Sequence, residues 1–346
     1  MSSIPPPTEA PVPVGIDAPV RGPGAGRAAA VLVLVAVAAL IPLLGPRAAL
    51  DGTGEAAAPG VEVVAALRAV VFAALCVQVG EVFAGFLARR VDPLREPPRA
   101  WSGYAAWGGF AAALGLASVV ASGNLIPHSV AALDIGGLGG TRDGTLALLE
   151  VNGFLFAALC ARSRRPGTAL LPLAAVVVAE ALRAHPTTED SALLGSGLTL
   201  VHVACATLWV GGLLSVLRTT RAWRTAAPES GTTAPEAGTA LLGRYARVAA
   251  LLLAAITTTG VCSTLRRMPP STVLDQLTTT AYGRALLAKV LLVAVVAALA
   301  LAARLRLRRA PDRTSAYVPA RAEVVVLAVV VAVSAVLTAL PVPIRW

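Results

Sequence analysis

Apolar residues run along this chain in long unbroken stretches. The stretches cover roughly 28–45, 61–88, 102–123, 145–161, 168–183, 191–217, 245–265, 282–303 and 322–341, and short polar or Arg-bearing segments separate them. A helix needs about 20 such residues to cross the ~30 Å hydrocarbon core. Strands of a membrane barrel would instead alternate apolar and polar residues over about ten positions. The pattern predicts an all-α, polytopic transmembrane helix bundle of about nine spans. The runs 145–161 and 168–183 are the shortest, and they also read as a broken hairpin that does not fully cross. Residues 1–27 are rich in Pro and Gly with no helical period, which predicts a disordered cytoplasmic tail. The long tail and the 18-residue apolar length make the first run a retained anchor rather than a cleaved signal. The stretch 225–240 reads as a flexible connector. The longest outer loop, 124–144, carries Gly136, Gly137, Gly139 and Gly140 but no Lys-Ser/Thr pair, so it is not a phosphate loop.

Composition agrees with this pattern. Of 346 residues, 56% are hydrophobic and 14% charged, whereas a soluble domain has about 25% charged. These values exclude a soluble enzyme, a disulfide-stapled secreted domain and a disordered chain. The net charge of +10 would suit a nucleic-acid partner if the cations lay on one face. They lie between the spans instead. With the N-terminus in the cytoplasm, twenty Lys and Arg fall on inner segments and seven on outer ones, while Arg68 and Lys289 fall within spans. The alternation holds at every loop. It predicts N-terminus in, C-terminus out, and no nucleic-acid partner.

Ionisable residues inside spans are expensive, so each needs a role. Arg68, Glu150, Glu180 and Lys289 fall in the outer half, and Glu81 toward the cytoplasmic end. One reading is internal pairing, with Arg68 or Lys289 against Glu150. The other is a polar vestibule with Glu150 and Glu180 as carboxylates at a cation pathway's mouth. All three His lie toward the outer side: His128 in the outer loop, His185 after the fifth span, and His202 within the sixth. Cys205 follows His202 by three residues and Trp209 by seven, so all share a helix face. Cys262 ends the seventh span and Met268 follows it, with the Thr257–Thr259 run expected to loosen that helix end. Imidazole, thiolate and thioether together form a soft-metal donor set suited to copper. The rival reading makes His202 a packing hydrogen-bonder and the cysteines small packing residues. Gly211 and Ser215 form a small-xxx-small pair that permits close helix packing. No nucleophile–base pair is present, so the expectation is a non-enzyme with no nucleotide cofactor.

Three segments carry a family resemblance: "LTLVHVACATLWVGGLL", "GRYARVAALLLAAITTTGVCSTL" and "TTTAYGRALLAKVLLVAVVAALAL". Their order resembles the CopD domain of bacterial copper-resistance membrane proteins, over roughly 185–305. The resulting layout is a 1–27 tail, five spans over 28–183, a CopD-like unit at 185–305 and a final span with an outer C-terminus at 322–346. The resemblance implies copper movement from the outer side toward the cytoplasm across the bacterial cytoplasmic membrane. It carries roles to His185, His202, Trp209, Tyr282 and Lys289. Cys205, Cys262 and Met268 are added to the metal set from chemistry alone. The implied partners are the lipid bilayer, a periplasmic CopC-type copper-binding protein and cytochrome oxidase assembly machinery. Two other functions compete. One is a copper-holding accessory factor for an oxidase. The other is a haem-binding electron carrier, which would need a second axial His from a loop.

Overall fold

The computed structural model describes residues 24–163, 165–185, 191–225, 234–309 and 317–342. The tail expected at 1–27 lies outside them except for its last four residues, which begin the first helix. The described residues form ten α-helices, three short 3-10 turns and no strand. The helices are α1 (Gly24–Leu50), α2 (Val61–Arg89), α3 (Ser102–Ala121), α4 (Arg142–Ala161), α5 (Leu170–Arg183), α6 (Ala192–Thr225), α7 (Ala234–Arg267), α8 (Val273–Thr279), α9 (Ala281–Arg309) and α10 (Tyr317–Ala339). Each apolar run falls on one helix, and α8 is the addition. Helices α2, α3, α4, α6, α7, α9 and α10 contain stretches long and apolar enough to cross a membrane. This is a polytopic helical membrane protein. Helix α5 has only 14 residues. The 3-10 turn Pro166–Ala169 runs directly into it, and together they rise about 29 Å.

Two expectations about the connections change. Residues 226–233 of the expected connector lie outside the described residues, but 234–240 are already helical. Glu236 in the first turn of α7 and Arg266 and Arg267 in its last complement the helix dipole. The glycine run after α3 is not open loop either: Gly136–Gly140 is a 3-10 turn whose Leu138 is buried. A Cβ on Gly144, at the start of α4, would overlap the Leu138 backbone, so the turn is clamped against that helix. Thr141 caps α4 by accepting from the Gly144 amide at 3.1 Å.

The chain divides into two units, Met1–Ala36 and Val37–Trp346. The first contributes the beginning of α1. In the second, α6 packs between α2 and α7; α2 also packs on α3 and α10, α4 joins α3 to α5, and α9 lies on α10. The α2–α6 crossing is close because it is built from glycine. A Cβ on Gly80 would overlap the backbone of Gly211, and one on Gly211 would overlap the backbone of Cys76. Ser215, one turn on, is buried. The small pair expected on α6 therefore meets a glycine on α2. Glu81 follows at the Arg-rich end of the crossing. Its carboxylate accepts from the amides of Trp101 at 2.7 Å and Ser102 at 2.9 Å. These amides open α3, which has no side-chain cap of its own. Arg218 of α6 pairs with the same carboxylate and stacks 3.5 Å over the Trp101 ring. One in-span carboxylate thus ties three helices together.

Candidate metal site

His202 is half-buried on α6, and its Nδ1 lies 3.0 Å from Thr259 Oγ1 on α7. The Thr259 hydroxyl has one proton, and it also lies 2.7 Å from the Ala255 carbonyl, four residues back. In the tautomer where that proton goes to the carbonyl, the ring donates through Nδ1–H. Nε2 then keeps its lone pair, the form in which histidine binds metals. Thr259 orients the ring from outside, as partners of metal-binding histidines do. Glycine gives the ring room: a Cβ on Gly260 would stand 3.5 Å from His202 Cε1. The Lys289 ammonium, from α9, is near enough to act electrostatically on the imidazole. Among the described residues no ion pair reaches Lys289.

Along α6 the polar residues recur every three positions. Ser196 is buried, Thr199, His202 and Cys205 are half-buried, and the steps are about 4.5 Å of rise each. Each step also turns about 60° round the helix, so Ser196 and Cys205 lie on opposite faces; His185 meets the Thr199 level from the end of α5. The residue is 2% exposed, its Nε2 lies 3.0 Å from Thr199 Oγ1, and its ring stands where a Cβ on Gly195 would go. Arg142, at the start of α4, donates to the carbonyls of Leu182 at 2.6 Å and His185 at 3.2 Å. A cleft of about 480 Å³ opens here, lined by Arg142, His185, Ser191 and Ser196 among others. Arg267 closes the adjoining corner, donating to the Tyr282 hydroxyl at 2.9 Å and the Ala184 carbonyl at 3.0 Å. Tyr282 thus holds the helix ends together.

The other expected donors are dispersed. Cys262 is exposed on α7, and that helix continues to Arg267, so Cys262 does not sit at a loosened end. The reason is that Thr259 bonds back to carbonyls of its own helix and leaves the ladder intact. Met268 is fully buried and caps the end of α7, its amide donating to the Thr264 carbonyl. Trp209 is buried in the core further along α6, where its carbonyl accepts from the Tyr245 hydroxyl at 2.6 Å. Among the described residues, no group of three or more His, Cys, Asp or Glu is gathered closely enough to hold a metal. The five expected ligands therefore do not form one shell.

Glu150 was expected to pair with Arg68 or Lys289, or else to line a mouth with Glu180. Pairing is what the structure shows, with different partners. Arg68 binds Glu180 at 2.8 Å, and Glu150 faces Arg183 at 3.0 Å. Glu150 is completely buried and Glu180 is 5% exposed, so neither stands at an open rim. Arg183 had counted only as an outer-loop cation; it ends α5 and turns inward. Thr259 and Thr199 were likewise missed as histidine partners. Their spacing on α6 and α7 was visible, but not which helices would meet.

Comparison of the whole chain with curated proteins and with solved structures finds no match. One segment does match a known family: residues 239–337, covering α7 from Thr239, α8, α9 and α10 to Leu337, fit the family described as CopD, copper resistance protein D.

Proposed function

We propose that this protein takes up copper ions at its cleft end and passes them along α6 toward its Arg-rich end. The observation that carries this reading is the His202–Thr259 contact. It sets a histidine, oriented at Nδ1 by Thr259, against a helix of the copper-resistance segment, inside the membrane-spanning part. Copper is the cargo. Its first hold is His185 beside Ser196, its second is His202 Nε2, and Cys205 lies one further step along. Imidazole and thiolate both suit Cu(I). A donor at each level, rather than one closed shell, favours passage over storage, because a conducting site must also let the ion go. Lys289 repels a cation at His202 and sets a gate there. The Arg68–Glu180 and Arg183–Glu150 pairs hold α2, α4 and α5 in place around the cleft.

By the distribution of Arg residues, the cleft faces outward from a bacterial cytoplasmic membrane and the Arg-rich end faces the cytoplasm. The protein acts without catalysing a reaction. A periplasmic CopC-type protein would deliver copper to the cleft, and oxidase assembly factors would receive it inside. The test is Cu(I) accumulation in sealed proteoliposomes. Wild type should load copper, and His202→Ala should lose most of the flux while still inserting. Equal flux in the two proteins would remove His202 from the route.

A further inference from the structure

The route described so far stops at Cys205, in the cleft-side half of α6. One buried ionisable group lies beyond it and has no role yet. Glu323, near the Arg-rich end of α10, is 5% exposed. It stands one turn before Leu327, which belongs to the same apolar core as Trp209, Leu213, Tyr245, Ile256 and Val296. Its carboxylate is near enough to Tyr245 of α7 to act on it electrostatically. The Tyr245 hydroxyl donates to the Trp209 carbonyl, and the ring lies against Gly212. Gly212 is ten residues past His202 on α6, about 15 Å further along.

A carboxylate in such a place is normally paired. Among the described residues no ion pair and no hydrogen bond reaches Glu323. Arg304 of α9 is used elsewhere: it donates to the carbonyl of Ala246, the residue next to Tyr245. The other in-span carboxylates each face an arginine, Glu81 with Arg218, Glu150 with Arg183 and Glu180 with Arg68. Among the described residues Glu323 is thus a buried carboxyl that faces no arginine.

We infer that Glu323, with the Tyr245–Trp209 pair beside it, is a second cation station through which copper leaves toward the Arg-rich end. This rests on the copper-passage reading above and extends it past Cys205. The carboxylate supplies the charge that the apolar core around Leu327 and Val296 cannot. Its oxygen donors hold Cu(I) more weakly than imidazole or thiolate does, which suits a release step.

The experiment uses the full-length protein in proteoliposomes loaded from one side with Cu(I). Glu323→Gln removes the charge and keeps the shape. It should bind the same copper at the His202 level as wild type, yet move copper about tenfold more slowly, and Glu323→Asp should restore most of the flux. Wild-type flux in Glu323→Gln would overturn the station and leave the passage reading intact. Absence of flux in wild type itself would sink both. Should Glu323→Gln not fold, the unmodified protein decides the matter. A hydrophobic carbodiimide, which adds to buried protonated carboxyls, should label Glu323, and Cu(I) should suppress that labelling. Labelling unchanged by Cu(I) would refute the station.

Discussion

The Arg68–Glu180 pair allows a sharp test of how this membrane bundle is held. Its two side chains are 12% and 5% exposed, and nitrogen and oxygen are 2.8 Å apart. At an effective dielectric of ~20, charges that close attract by about 6 kcal/mol. Desolvation costs several kcal/mol for each ion, so the intact pair is worth little net. Removing one partner is another matter. Glu180→Gln leaves Arg68 charged and buried, and should cost about 3–5 kcal/mol. Arg68→Met should cost as much, because it leaves Glu180 unpaired beside Glu150, whose own arginine is Arg183. The double variant Arg68→Met/Glu180→Gln has no orphaned charge and should return to within ~1–2 kcal/mol of wild type. The assay is reversible unfolding in mixed micelles across a denaturing-detergent series, with copper flux measured in parallel. Additive losses in the double variant would refute the pairing argument. A fully stable double variant that no longer moves copper would show these charges to be part of the route rather than its frame.

Lys289→Met should leave stability unchanged, since among the described residues no carboxylate pairs with it. It should raise copper affinity about a hundredfold, because a unit charge roughly 6 Å from a bound cation would oppose it by about 3 kcal/mol at a dielectric of ~20; weaker binding would show Lys289 to be orienting a ligand instead. Cys262→Ser should change neither copper stoichiometry nor flux, given the exposed position of that thiol on α7. Loss of copper in that variant would place Cys262 on the route.

The apolar runs announced the helices because length and hydropathy are properties of one segment at a time. Partners were harder to read, since they depend on which helices meet. Gly211 was legible as half of a close crossing, but its counterpart Gly80 looked like an isolated glycine. Arg183 was taken as an outer-loop charge because it ends its run, although its side chain turns back to Glu150. Glu323 was overlooked for the same reason: it opens the last apolar run two residues after Arg321 and reads as a boundary residue. The expected connector at 234–240 is helical because its Ala and Glu residues favour helix over the Gly and Thr around them. Cys262 drew notice through its chemistry, and only the packing of α7 showed that it is exposed.

The central claim is that His202 holds copper within the membrane-spanning part. The most direct measurement is metal content and visible spectrum of the detergent-purified protein after loading with Cu(I) under reducing conditions. The account predicts stoichiometric copper in wild type and its loss in a folded His202→Ala variant, with no haem absorption. A Soret band without copper, or copper retained in full by His202→Ala, would contradict it.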